Sequence, residues 1–415
     1  MALYATTVEL AAPVDLIELA GDDGWLLLGP TSGIAAWGTA AELEVTTADH
    51  DDRAALRRLL GTIDHDDQAG VGTRGIVAMG AIPFDLSAPC RLTVPRCIVQ
   101  LLDDGRWVMT SISTSPEIPV PPPPTASAVA PLPQVVGSTS IPLPQGYRDM
   151  VSAATKHIAD GAFVKVVLAR RLVLELDGAL SVADALHRLA GRDPRCTIYA
   201  APVAEGRLFG ASPELIVAKR GTSVRSNPLA GSVAIDGTAD DLVRERALET
   251  SAKTLEEHDL VVQDLAQRLG PLCEELHVAR PSLVQFRSIA HLSTVVKGTT
   301  ASYPEGPSAL DLVAAIAPTP AVGGVPTTQA AAEIDALEPF DRGSWAGAVG
   351  WVDAGGDGQF MLAIRGATLE GRTLTLTAGC GIVRASDPTE ELEETRVKFR
   401  AVLDVVLPRA DLALW

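Results

Sequence analysis

Seven prolines, Pro119, Pro121, Pro122, Pro123, Pro124, Pro131 and Pro133, fall between positions 119 and 133 of a 415-residue chain. Such a run favours the extended polyproline II conformation and supplies no backbone N–H to a ladder, so it cannot lie inside a sheet. It divides the chain into an N-terminal part, 1–118, an expected connector, 119–144, and a larger part, 145–415. The length would accommodate two or three ordinary domains or one large one. Before the prolines, Gly24-Trp-Leu-Leu-Leu-Gly, Gly75-Ile-Val-Ala-Met-Gly and Cys97-Ile-Val-Gln-Leu-Leu are short apolar runs bounded by turn residues, which predicts strands. No repeat of roughly 20 to 50 residues is evident, which argues against solenoids and propellers.

Charge narrows the partners. Thirty-four Lys and Arg against 52 Asp and Glu leave a net charge of -18, the wrong sign for binding a phosphate backbone, so no nucleic acid is expected. Aromatic residues make up only 4%, so Ala, Val and Leu must fill the core. The cysteines, Cys90, Cys97, Cys196, Cys273 and Cys380, are odd in number and form no CxxC pair. Neither a disulfide framework nor a cysteine zinc site is indicated, which fits a reducing cytoplasm. The first twenty residues carry Glu9, Asp15 and Glu18 and no Lys or Arg, unlike a secretory n-region. The most apolar long stretch, Leu312 to Val325, is broken by Pro318 and Pro320 and is shorter than the roughly 20 residues that span a bilayer, so no membrane partner is expected.

Four places could carry chemistry. Lys165 lies in the β-branched run from Phe163 to Leu174. It is either an ordinary edge-strand lysine, which discourages aggregation, or a partly desolvated amine usable as a base. Glu214 follows Ser212-Pro213 where a turn returns to an apolar strand; it is a solvated turn residue, or a carboxyl whose pKa an apolar cleft raises until it can donate a proton. From Asp240 to Leu269, apolar residues at three and four spacing (Leu242, Leu248, Leu260, Val261, Leu265, Leu269) predict one amphipathic helix with Glu257 at the margin of its stripe. Finally, Ser386-Asp387-Pro388 starts a helix on which Glu391 and Glu394 lie one turn apart on one face. Those two acids complement a helix dipole, and Glu394 has ion-pair spacing to Lys398; equally, paired carboxylates are hard oxygen ligands for Mg2+, with Gly379 and Gly381 just upstream letting a ligand approach the backbone.

Taken together, Lys165-Val-Val-Leu-Ala-Arg170, Ala211-Ser-Pro-Glu214-Leu, Asn227-Pro-Leu-Ala-Gly-Ser232, Ser251-Ala-Lys253 with Glu257-His258, Leu337-Glu-Pro-Phe-Asp-Arg342-Gly, Gly347-Ala-Val-Gly-Trp351, Ala363-Ile-Arg365 and Gly379-Cys-Gly-Ile-Val383 through Glu394-Thr395 stand in the order found in chorismate-utilising enzymes. The chain most resembles isochorismate synthases of the siderophore, salicylate and menaquinone pathways, strongly over about 145–415 and weakly over the first 115 residues. The resemblance implies a single large α+β fold: two antiparallel-sheet halves packed together, helices outside, and an active-site cleft. It implies that Lys165 is the general base and Glu214 the general acid of a chorismate-to-isochorismate isomerisation. It also implies that Glu257, Glu391 and Glu394 hold Mg2+, and that Ala230, Gly231, Ser232, Arg365, Gly379, Gly381 and Lys398 bind substrate. A monomer acting on the small molecule chorismate is the expected state.

Two positions separate neighbouring activities by the same resemblance. Ala230 stands where relatives that attach ammonia carry a nucleophilic lysine, which disfavours aminodeoxychorismate synthesis. Ala317 stands where the family usually has a site histidine; the expectation is that the polar cleft loses an imidazole there and fills with water, slowing turnover. Salicylate synthase, which also eliminates pyruvate, and a catalytically impaired chorismate-binding protein are the alternatives.

Overall fold

The structure is a computed structural model that describes residues 2–115, 131–235, 238, 240–287 and 289–408. Unbroken apolar runs such as Trp-Leu-Leu-Leu make strands buried on both faces. In the strand Trp25–Leu28, Leu26 belongs to one apolar cluster and Leu27 to another, because successive side chains leave a strand on opposite sides.

Strands associate in two antiparallel runs that share the long strand Pro89–Leu101. One run passes from Pro89–Leu101 through Gly33–Thr46, Trp25–Leu28, Thr197–Val203, Gly206–Ser212, Gly366–Glu370 and Thr373–Ile382 to Lys165–Leu176. The other passes through Val77–Ile82, Ala348–Asp353, Gly358–Leu362, Leu215–Arg220 and Ser223–Asn227. Among the described ladders, only Tyr4–Glu9 with Asp64–Asp67 is parallel. The larger core fills the space between the runs, where Leu27, Ile34 and Leu208 meet Val217, Trp351 and Phe360. A second core lies beneath the helices Leu16–Ala20, Val182–Arg192 and Pro388–Val406. The α+β architecture of two antiparallel halves with outer helices is therefore present. The N-terminal residues are part of it, since Trp25–Leu28 pairs directly with Thr197–Val203.

Three local expectations need revision or restriction. The stretch from Asp240 to Leu269 is two helices, Asp241–Thr250 and Ala252–Leu269, because Ser251 turns out of the helix and its hydroxyl caps the second by accepting from Thr254 N; Leu242, placed on the apolar stripe, is exposed. Pro119 and Pro121–Pro124 lie outside the described residues, and within the range read as connector Val135–Ile141 is a strand paired with Lys165–Leu176. Ala317 caps the C-terminus of the helix Ala309–Ile316 and packs in the larger core. Ala317 itself is extended, and the chain beyond it bends and turns before reaching the cleft at Ala321 and Val322. Position 317 does not line the cleft, so the water-filled space expected in place of an imidazole is not found there.

Candidate active site

A cavity of about 190 Å³ opens between the strand Lys165–Leu176, the helix Ala252–Leu269 and the helix Pro388–Val406. All the residues expected to act on substrate or hold the metal line it: Lys165, Glu214, Ala230, Gly231, Ser232, Glu257, Arg365, Gly379, Gly381, Glu391, Glu394 and Lys398.

Lys165 begins its strand between two neighbours, opposite Val325 on one side and beside the Val166–Ile382 pair on the other, and is 1% exposed. This rules out an edge lysine. Its Nζ lies 3.0 Å from Glu257 Oε1, so a carboxylate has taken the place of water around the ammonium. Glu214 sits in the turn between Gly206–Ser212 and Leu215–Arg220, 3% exposed. Burial pushes its pKa up to about 8, against the opposing pull of the Leu229 amide and of the Lys165 and Arg365 charges. At neutral pH it is therefore predominantly a protonated acid.

On the opposite wall, Arg365 adopts φ 55, a left-handed conformation that few side-chain-bearing residues take. Its carbonyl accepts from Ala211 N at 3.1 Å. One guanidinium nitrogen, Nη2, lies 3.3 Å from His291 Nε2, whereas the buried Nη1 has no protein partner. His291 Nδ1 lies 3.1 Å from the Gly231 carbonyl and must donate to it, leaving Nε2 to accept from Arg365. Burial, reinforced by Arg365 and Lys398, drives the His291 pKa down to about 3, so the ring is neutral. An unpaired N–H inside a cavity is a donor held ready for an anion.

At the floor, Lys398 Nζ donates to the Gly379 carbonyl and to Glu394 Oε1, each at 2.7 Å, while Ser232 Oγ donates to Glu394 at 2.9 Å. Burial opposes ionisation of Glu394, but Lys398, Ser232 and Arg365 together hold its carboxyl below the usual range. The ion pair that helical spacing suggested is formed, and it lies inside the cleft. The local helix start is as read: Asp387 is the N-cap and Pro388 the first helical residue.

The fit to a divalent cation can be judged from the donors. Glu391, Glu394 and Cys380 offer ligand atoms within 4.8 Å of one another. Burial pushes the Cys380 thiol far up, so it stays protonated and is a poor ligand; the carboxylates are the usable donors. Glu257 is outside that group and faces Lys165. Hard oxygens with an anionic Glu394 suit a divalent metal.

His258 bonds Thr294 Oγ1 through Nε2 at 2.7 Å and is fully buried, the arrangement of a core histidine. Sequence reading missed His291, Trp345, Ile364 and Val322, all in the cleft wall. The one local signal for His291 was an imidazole among the apolar Ile289, Ala290 and Leu292 of a wholly buried strand.

Gly381 lies where a Cβ would stand 2.4 Å from Glu257 Oε1 and 3.0 Å from Lys165 Cε. Gly381→Ala is expected to lower turnover about 100-fold by displacing both groups, with little change in melting temperature. Steady-state kinetics beside a thermal melt would check this; a variant with native turnover would show that the Lys165–Glu257 spacing is unimportant.

A family model described as "Chorismate binding enzyme" matches residues 123–407. Isochorismate synthase DhbC of Bacillus subtilis (strain 168) is 38% identical over 340 residues, covering 79% of this chain and 80% of the relative. Isochorismate synthase EntC of Escherichia coli (strain K12) is 35% identical over 343 residues, covering 82% and 83%. The crystal structure of DhbC from Bacillus anthracis superposes with a TM-score of 0.79 at 31% identity, covering 94% of this chain and 98% of the other. Eight ordered motifs, six of which line the cleft, a family match over most of the chain and a shared fold have one common explanation: the chain belongs to the chorismate-binding enzyme family.

Proposed function

We propose that this protein is an isochorismate synthase, an isomerase that converts chorismate to isochorismate by adding water at ring C2 and expelling the C4 hydroxyl as the double bonds shift. The observation that carries the reading is a protonated, buried Glu214 in the same small cavity as the buried amine of Lys165. Water is a weak nucleophile and hydroxide a poor leaving group. The reacting form pairs a neutral Lys165, its resting ammonium proton having been released, with protonated Glu214: the amine takes a proton from the water, and Glu214 gives one to the departing hydroxyl; transfers of this kind contribute about 100- to 10,000-fold each. The substrate is a dicarboxylate entering an acidic protein. The unpaired Nη1 of Arg365 and the Lys398 ammonium answer its charge, and the glycine backbone at Gly379 and Gly381, with Ala230, Gly231 and Ser232, shapes the wall. Ala230 offers no nucleophile, which disfavours aminodeoxychorismate synthesis through an enzyme lysine.

Glu257, Glu391 and Glu394 are the residues that would hold Mg2+. The chemistry such an ion supplies is neutralisation of a substrate carboxylate among acidic side chains. Five unpaired cysteines support a reducing compartment such as the cytoplasm, and the working unit is taken to be a monomer.

Incubation with chorismate and MgCl2 followed by chromatography tests the reading. Isochorismate should accumulate to near equilibrium with chorismate, with little salicylate or pyruvate. Stoichiometric pyruvate would transfer the assignment to salicylate synthase, and no conversion would leave a binding protein.

A further inference from the structure

The motif Leu337-Glu-Pro-Phe-Asp-Arg342-Gly is among the chain's distinctive patterns, yet none of its residues lines the cleft. Its two charged members are nevertheless buried: Arg342 is 4% exposed and Glu338 is 8% exposed. Glu338 is the first residue past the helix Thr327–Leu337, held by its amide to Ile334, and Pro339 prevents the helix from continuing. Four residues on, Arg342 folds back so that Nε donates to Glu338 Oε2 at 2.8 Å and Nη2 faces Oε1.

The remaining donors of this guanidinium go to main chain. Nη1 donates to the Val322 carbonyl at 2.7 Å, and Nη2 donates to the Val167 carbonyl, also at 2.7 Å. Glu338 Oε1 accepts the Ala169 amide at 2.8 Å. The flat face of the guanidinium lies 4.4 Å from the Phe84 ring centroid and 5.2 Å from that of Trp345. Val167, Val322 and Trp345 all line the cleft, and Val167 stands two residues beyond Lys165 on the same strand. One planar cation thus touches three separate walls of the cavity from behind.

We infer that Arg342, oriented by Glu338, is a positioning residue for the isomerisation: it fixes the strand carrying Lys165 relative to the Ala321–Val322 wall. The inference rests on the assignment of Lys165 as base. A fixed fork of donors can hold two carbonyls and a carboxylate at once, which a lysine ammonium on a flexible stem cannot reproduce. A buried pair of this kind is weak evidence for stability, so its use here is better sought in geometry than in melting temperature.

The test is Arg342→Lys, with Glu338→Gln as the milder variant, each compared with the wild-type chain. A displacement of about 1 Å in a reacting group costs about 100-fold in rate, so kcat is expected to fall about 30- to 100-fold in Arg342→Lys, with KM for chorismate changing less than about threefold. Glu338→Gln should lie between the two. A second readout needs no substrate: acetylation of lysines by acetic anhydride, mapped by peptide mass spectrometry. The Lys165 amine, shielded in the wild type, should react at least about fivefold faster in Arg342→Lys while the other lysines keep their rates, since only its strand has lost an anchor. A folded Arg342→Lys variant with native kcat and native Lys165 reactivity would overturn the inference, as would uniform acceleration at all lysines, which signals general loosening. Should the wild type fail to convert chorismate, the proposed function falls, while Lys165 reactivity still decides whether Arg342 holds that strand. If Arg342→Lys does not fold, the same two measurements on Glu338→Gln decide.

Discussion

Glu214→Gln is expected to lower isochorismate formation about 100- to 10,000-fold and, at pH 8, to make the protein harder to unfold. The two effects have one origin. Burial raises the Glu214 carboxyl from an ordinary 4.5 to about 8 in the folded chain. Above pH 4.5 the unfolded chain releases this proton while the folded chain retains it, so unfolding becomes progressively easier as pH rises from 4.5 towards 8. At 1.36 kcal/mol per unit, the burden reaches roughly 5 kcal/mol, an upper figure. Glutamine keeps the size and neutrality of the protonated acid and never ionises, so the difference between variant and wild type should vanish below about pH 4.5 and grow through neutrality. The rate follows the same group: wild-type kcat/KM should decline above about pH 8 as Glu214 loses its proton, and the residual rate of the variant should lack that limb. Urea unfolding at pH 4 and pH 8 beside a pH–rate profile measures both. Equal stability differences at the two pH values would mean that Glu214 is ionised in the folded protein and is not the acid.

What could be read from the sequence was largely what is local. Glu391 and Glu394 share a face because they are one turn apart, and Asp387-Pro388 marks the helix start just upstream of them; no distant contact is needed to see either. Lys165 is the opposite case. Its run shows a strand, but whether that strand is an edge or an interior one depends on Gly324–Val325 and Thr373–Ile382, far along the chain, and only the ordered set of motifs favoured the buried reading. Ser251 escaped notice because the apolar spacing of the two helices runs on across it, while the residue three positions later is Thr254 and not the Glu or Gln of a capping box. His291 acquires its role from Gly231 and Arg365, on two other elements, so nothing in its own neighbourhood distinguishes it from a core histidine. Ala317 misled for a geometric reason: a proline-rich stretch after a helix advances several residues before it meets the cavity.

Lys165→Met is expected to abolish most turnover, by about 100- to 10,000-fold, and to tighten the binding of Mg2+. The ammonium is the cation nearest Glu257, 3.0 Å from Oε1, with 1% of the lysine side chain and 17% of the glutamate side chain exposed. A methionine preserves the apolar stem and leaves that carboxylate without its ion pair. Breaking a fully buried pair costs about 3–5 kcal/mol, and the partial exposure of Glu257 reduces this towards about 1–3 kcal/mol. A divalent cation at Glu257, Glu391 and Glu394 would supply the missing positive charge, and it would no longer compete with the lysine for Glu257. Recovery of about 1.4 kcal/mol corresponds to tenfold tighter binding. The variant should therefore melt lower than wild type in EDTA, with the gap narrowing as MgCl2 is added, and calorimetric titration of Mg2+ should give the lower Kd for the variant. The two readouts fail together if the assignment is wrong: a variant that binds Mg2+ no more tightly than wild type, and whose deficit in melting temperature is the same in EDTA and in MgCl2, would show that Glu257 serves Lys165 alone and is not a metal ligand.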